Sequence, residues 1–164
     1  MVSVQAGEFE SWETLAKRAR GLLAGEQHRI ANAANLAALI FNSVPDLNWA
    51  GFYFVEDGEL VVGPFQGRPA CVRIAPGKGV CGTAMLTGQT QRVKDVDAFA
   101  DHIACDPNSR SEVVVPLSEN GRVTGVLDID SPRAGRFSEA DARGFEQLAA
   151  IYLEAVSGPD QSSG

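Results

Sequence analysis

Three cysteines and fourteen basic residues are few for a chain of 164, and each shortage closes off a class of function. Lys and Arg number 14 against 21 Asp and Glu, leaving a formal charge of −7. That is the wrong sign for neutralising phosphates, so nucleic acid and membrane surfaces are excluded as partners. No apolar run approaches the roughly eighteen residues of a membrane span. Met1–Gly7 also lacks a basic segment leading into an apolar one, so no leader is expected and the expected location is the cytoplasm. No internal repeat signals a solenoid. What is present suffices for a core, since 45% of the residues are hydrophobic, and the length suits one domain rather than several.

The cysteines, Cys71, Cys81 and Cys105, are odd in number and contain no close-spaced pair. Their spacing suits neither a zinc knuckle nor a disulfide framework, and in a reducing compartment thiols are more often ligands or redox groups than staples. A metal site from Cys71, Cys81, Cys105 and His102 can be written down, but no close pair supports it. No metal and no organic cofactor is expected.

Helical spacing marks Ser11 to Leu23, with Ser as the starting cap, and Glu26 to Ser43, where Ile30, Ala33, Ala34, Ala37, Ala38 and Phe41 form one stripe before Pro45 ends it. From Trp49 the period changes to two. Trp49 to Val55 and Glu59 to Gly63 read as a hairpin across Asp57-Gly58, and Ala70 to Ile74 as a third short strand. Pro76-Gly-Lys-Gly opens into a short helix from Val80 to Thr87, Gln91 to Val93 is a further strand, and Asp97 to Ser111 is a polar loop with about one helical turn. Glu112 to Leu117 and Arg122 to Asp130 form a second hairpin across Glu119-Asn-Gly121, and Ser138 starts a closing helix. The predicted fold is α+β, a central and mainly antiparallel sheet of about five or six strands. Its terminal helices pack on one face and a loop-roofed pocket lies on the other. One domain is expected over 1–157, with a flexible tail over 158–164.

Alternation places Asp128 and Asp130 on one sheet face with Val126, while Leu127 and Ile129 take the opposite face, and Glu112 heads the partner strand. Carboxylates sharing a face are either a solvated acidic strand or a group that holds a proton or an ammonium. Trp49 and Tyr53 likewise share a face, with Phe52 and Phe54 opposite, so Trp49 is either core or the wall of an apolar slot. Cys105 lies in the loop segment His102-Ile-Ala-Cys105-Asp106, Cys71 starts a strand and Cys81 sits at the mouth of a glycine-flanked helix. Histidine, backbone amides or a helix dipole can stabilise a thiolate at such places, with plain burial the alternative for Cys81. Gly77 to Gly82 is like a phosphate loop in its glycines alone, so nucleotide binding is rejected. His28 reads as a surface residue within a helix.

Together these stretches resemble one family, the free methionine-(R)-sulfoxide reductases, which are single GAF-type domains. The resemblance rests on Asn48-Trp-Ala-Gly-Phe-Tyr53, Gly63-Pro-Phe-Gln-Gly67, Pro69-Ala-Cys71, Gly77 to Gly82 with Thr83-Ala84, His102-Ile-Ala-Cys-Asp106, Ser111-Glu112 and Gly125-Val-Leu-Asp-Ile-Asp-Ser131. It extends from Trp12 to Ala155. It implies a GAF-like fold, with Cys105 as nucleophile, Cys71 as the usual resolving thiol and Cys81 as an additional thiol able to pair with Cys105. It further implies a substrate pocket of Trp49 and Tyr53 around the methylthio end and Glu112, Asp128 and Asp130 as the acidic group. The implied activity is thiol-dependent reduction of free L-methionine (R)-S-oxide through a Cys sulfenic acid and an intramolecular disulfide, recycled by thioredoxin. A homodimer is left open. The alternative is a non-enzymatic GAF sensor of a ligand or of redox state, because a GAF fold alone does not separate the two; the three cysteines do.

Overall fold

Two turns whose central residues both adopt left-handed backbone close the main hairpins: Asp57 (φ 51°) with Gly58 (φ 82°), and Asn120 (φ 54°) with Gly121 (φ 76°). Such turns match the twist of the strands they join, which is why Asp-Gly and Asn-Gly mark them. In the structure, a computed structural model describing residues 9–99 and 105–158, these turns link β1 (Trp49–Glu56) to β2 (Glu59–Gly67) and β5 (Ser111–Glu119) to β6 (Arg122–Ser131). With β3 (Arg73–Ile74) and β4 (Gln91–Val93) they form a six-stranded sheet in the order β3-β2-β1-β6-β5-β4, each neighbouring pair antiparallel.

The register sorts the side chains. Ala50 lies opposite Ile129 and Phe52 opposite Leu127, and with Val113 and Val115 they are buried beneath α1 (Trp12–Leu23), α2 (Arg29–Ser43) and α4 (Glu139–Ser157). Trp49, Tyr53, Val114 and Val126 point the other way and pack against Val80, Cys81 and Ala84 of α3 (Gly79–Thr87). The α+β expectation is therefore met, with helices from both ends of the chain on one face and a short helix with loops over the other.

Capping starts the terminal helices where the sequence puts Ser. Ser11 Oγ accepts from the Thr14 amide, and Ser138 forms a reciprocal box with Asp141. The two helices meet where the Trp12 indole lies on Gly144 and its Nε1 donates to Asp141 Oδ1 at 3.2 Å.

Several expected boundaries shift. α2 begins at Arg29, and His28 is its cap rather than an interior residue, its Nδ1 accepting from the Ala31 amide at 3.2 Å. The buried stripe of α2 is Asn32, Ala33, Leu36, Ala37 and Ile40, so Ile30 (50% exposed) and Ala34 face outward. Asn32 joins that stripe because its amide nitrogen donates to the Glu26 carbonyl at 2.8 Å, which lets a polar side chain lie inside. β2 runs on to Gly67, and β3 keeps only Arg73 and Ile74, the residues paired with Val61 and Leu60; Ala70 and Cys71 lie in the connecting loop. The helical turn in the polar loop is a 3-10 turn at Val96–Ala98. Beyond Gly158 the expected tail, and His102 with its neighbours 100–104, lie outside the described residues. No helix among the described residues is long and apolar enough to cross a membrane.

Gly51 pairs with Phe65 across β1 and β2, and a Cβ at Gly51 would run into the Phe65 backbone. Gly51→Ala is predicted to cost about 1–3 kcal/mol, the usual effect of overpacking. Urea unfolding measures it, with Ser138→Ala, expected to lose about 1 kcal/mol through the missing cap, as reference.

Candidate active site

The face of the sheet away from the three long helices collects the side chains that carry chemistry. β1 contributes Trp49 and Tyr53, β5 contributes Glu112, β6 contributes Asp128 and Asp130, and α3 contributes Cys81. All six line a cavity of about 40 Å³, and Cys105 closes it from the loop before β5. Cys71, in the loop after β2, reaches this cavity through its bond to Cys105.

The apolar wall is a stack. Trp49 lies between Tyr53 and Phe65, with ring centroids at 5.7 and 5.1 Å and interplanar angles of 29° and 18°. Its Nε1 donates to the Arg68 carbonyl at 3.1 Å, which orients the indole and satisfies a donor that is otherwise buried. Gly67 permits this approach: its φ is +128°, and a Cβ there would meet the Asn48 carbonyl and the Trp49 ring.

Opposite the wall the strand register brings the acids together. Glu112 and Asp130 face each other across β5 and β6, Asp128 is their diagonal neighbour, and Trp49 faces Asp130 across β1 and β6. The three carboxyls are only 7%, 5% and 7% exposed for Glu112, Asp128 and Asp130, and among the described residues none is in an ion pair. The solvated-strand alternative is thereby removed. Burial pushes the Glu112 carboxyl well above the usual carboxylate range, and the charges of Asp128 and Asp130 push it further. Burial, then the charge of Asp128, does the same to Asp130. Asp128 is raised by burial but held back by hydrogen bonds from Glu112 and Cys81, which makes it the member best able to carry charge. Its Oδ1 is buried without a hydrogen-bond partner among the described residues. Tyr53 is raised too, by burial first and then by the Asp128 charge, so it stays a neutral phenol.

The three thiols separate into a pair and a single. Cys71 and Cys105 form a disulfide across 34 residues with Cα atoms 5.3 Å apart, and both are partly exposed. This bond uses two members of the four-ligand metal set that the sequence allowed. Cys81 is free and buried, and its Sγ lies 3.9 Å from Glu112 Oε2. Its place in the first turn of α3 does not stabilise a thiolate: burial, and then the charges of Asp128, Glu112 and Asp130, push the Cys81 thiol well up. The glycines around it have a packing role. A Cβ on Gly82 would meet the Ala75 carbonyl, and the Gly77 amide donates to the Gly82 carbonyl at 2.8 Å, so the turn folds tightly onto the helix start.

One arrangement has no counterpart in the sequence analysis. Asn48 Nδ2 donates to Asp106 Oδ2 and to Ser109 Oγ, both at 3.0 Å, and the Asn48 amide donates to the Asp130 carbonyl at 3.0 Å. Asn48 thus ties the segment following Cys105 to the acid-bearing strand. Asp106 and Ser109 also line the cavity. The signal for Asn48 was its place immediately before the aromatic strand, but periodicity carries no information about a side chain that bonds to a loop.

Comparison with known proteins identifies the family. Residues 31–157 match the GAF domain family. The chain is 50% identical over 147 residues to the free methionine-R-sulfoxide reductase of Escherichia coli, covering 90% of this chain and 88% of that one. It is 49% identical over 159 residues to protein YtsP of Bacillus subtilis, covering 95% and 98%. The crystal structure of free methionine-R-sulfoxide reductase from Neisseria meningitidis in complex with its substrate superposes with a TM-score of 0.89 at 41% identity, covering 96% of this chain and 95% of that one.

The acid cluster makes stability depend on pH with a definite sign. Its folded-state affinities for protons are raised, so the folded protein holds protons that the unfolded chain has released. Stability is then full below the ordinary carboxylate range, about pH 4, and is lost as pH rises through the raised folded values. The expected slope is about 1.4 kcal/mol per pH unit for each proton retained. Urea unfolding across pH 4 to 9 measures it, and Asp130→Asn should flatten the dependence.

Proposed function

The chain belongs to the free methionine-R-sulfoxide reductases, a family of GAF-domain proteins, and we propose that it reduces free L-methionine (R)-S-oxide to methionine at the cavity beneath Cys105. The observation that carries this reading is one juxtaposition: a cysteine in a disulfide closes a cavity that also holds buried proton-retaining acids and an indole wall. Reduction of a sulfoxide needs a nucleophile for sulfur and an acid for oxygen at the same place.

In the proposed reaction the Cys105 thiol attacks the sulfoxide sulfur while a carboxyl of the facing pair, Glu112 and Asp130, gives its proton to the sulfoxide oxygen. Burial, and then the charge of Asp128, raises the affinity of both for a proton well above that of an ordinary carboxylate, which suits one of them to the role of acid. The hydroxyl then passes from the methionine sulfur to the Cys105 sulfur as the transient S–S bond and the original S–O bond break, the thiol proton returns to the carboxylate, methionine leaves, and Cys105 is left as a sulfenic acid. The Cys71 thiol then attacks that sulfur, a disulfide forms and water departs, so two thiols have supplied the two electrons. The Cys71–Cys105 bond corresponds to the state after this step. Its partial exposure, beside the 60% exposed Val72, suits reduction by a dithiol protein of the thioredoxin kind in a reducing compartment. Cys81 serves as a second candidate resolving thiol, and its raised affinity for its proton makes it the slower of the two.

Trp49 and Tyr53 are assigned to the methylthio end and the acidic group to the ammonium. A peptide bond on either side would cancel the charges of the free amino acid and leave buried partners unpaired, which a polar site penalises strongly. Cys105 lines the cavity while bonded to Cys71, so opening of that bond is proposed to accompany admission of substrate.

Cys105→Ser is expected to lose all turnover of the R epimer with dithiothreitol or thioredoxin, and activity in that variant refutes the nucleophile assignment. Cys71→Ser should keep single-turnover release of methionine while its thioredoxin-dependent rate falls at least tenfold. The N-acetylated, C-amidated sulfoxide should turn over at least a hundredfold less efficiently than the free one; equal kcat/KM refutes the selectivity argument. Calorimetry should find methionine binding to the reduced protein and at least tenfold weaker binding to the oxidised one.

A further inference from the structure

Cys81 is the thiol outside the disulfide, and its neighbours suit a different chemistry. One ligand atom each from Cys81, Glu112 and Asp128 lies within 4.8 Å of the other two, and all three residues are buried. Asp128 is 5% exposed, and its Oδ1 has no hydrogen-bond partner among the described residues. None of the ion pairs among those residues reaches the cluster. A thiol and two carboxyls, with Asp130 beside them, therefore converge on one point with a free acceptor oxygen and no cationic side chain paired to it.

We propose that Cys81, Glu112 and Asp128 form a binding site for a thiophilic divalent cation of the zinc class. The donor set decides the class: one sulfur and two carboxylate oxygens suit zinc and its thiophilic neighbours, whereas magnesium and calcium take oxygen alone. A tetrahedral zinc site with bonds of about 2.0–2.3 Å places its ligand atoms about 3.5 Å apart, so the cluster needs to contract by about 1 Å. Side-chain rotation supplies that, since the ligands stand on the adjacent strands β5 and β6 and on the start of α3. The cavity leaves room for a water as fourth ligand. These ligands differ from the set suggested by the sequence: Cys71 and Cys105 take no part, so the site exists while they are joined. The metal shares the acid cluster with the proposed substrate, and its occupancy blocks reduction until a chelator removes it. Binding itself does not rest on the proposed activity.

The test uses the oxidised full-length protein, in which Cys81 is the one remaining thiol. Titration with cobalt(II) should give one equivalent bound, with a thiolate-to-metal charge-transfer band in the near ultraviolet that zinc displaces. Cys81→Ser should abolish the band, and Asp128→Asn should weaken binding at least tenfold. Absence of the band in the wild type, or its survival in Cys81→Ser, overturns the proposal. X-ray absorption of the zinc-loaded wild type avoids any question of variant folding: one sulfur at about 2.3 Å with oxygens at about 2.0 Å is expected. A shell without sulfur, or with two sulfurs, overturns it. Since neither readout involves turnover, a protein that binds cobalt this way without reducing methionine sulfoxide would sustain this site and refute the proposed function.

Discussion

Three carboxyl groups held side by side out of water, with no Lys or Arg among the described residues paired to them, are the constraint around which this molecule is arranged. Like charges crowded in a desolvated site resist ionisation, so the cluster holds protons above the ordinary carboxylate range. Everything nearby either enforces that crowding or exploits it. The ladder between β5 and β6 fixes Glu112 against Asp130, and α3 seals the cluster from above with a thiol rather than with a cation.

The enforcement depends on the opposite face of the same sheet. Leu127 and Ile129 alternate with Asp128 and Asp130, and their burial under α2 and α4 locks the register. A slip of one residue would exchange the two sets and bring carboxylates into the core, a state the hydrophobic face forbids. The aliphatic residues therefore position the acids as strictly as any hydrogen bond. The same division explains the aromatics of β1, where Phe52 packs on Tyr152 in the core while Trp49 and Tyr53 form the cavity wall.

Much of this was readable because it follows from alternation. The shared face of Asp128 and Asp130, the opposed faces of Trp49 and Phe52, and the Asp-Gly and Asn-Gly turns are local consequences of a period of two. The stripe of α2 was misplaced because, in an Ala-rich helix, neighbouring faces differ little in hydropathy and tertiary packing chooses among them; a hydrogen bond from Asn32 then brings a polar residue inside. The surroundings of Cys81 were out of reach for a related reason. Helix position alone argues for an ionised thiol, whereas three acids from distant parts of the chain argue against it, and the nearer charges prevail. Which cysteine bonds to Cys105 came from family resemblance, since spacing alone left the pairing open.

Asn48 has a mechanical consequence. Its amide hydrogen bonds to the strand that bears Asp130, while its side chain grips Asp106 and Ser109, immediately beyond Cys105. Positional error in a linkage grows with the number of joints between its two ends. Between the Cys105 sulfur and the Asp130 carboxyl the link runs, on this side, through two residues, Asp106 and Asn48, so a reach set by a loop inherits the tolerance of a sheet.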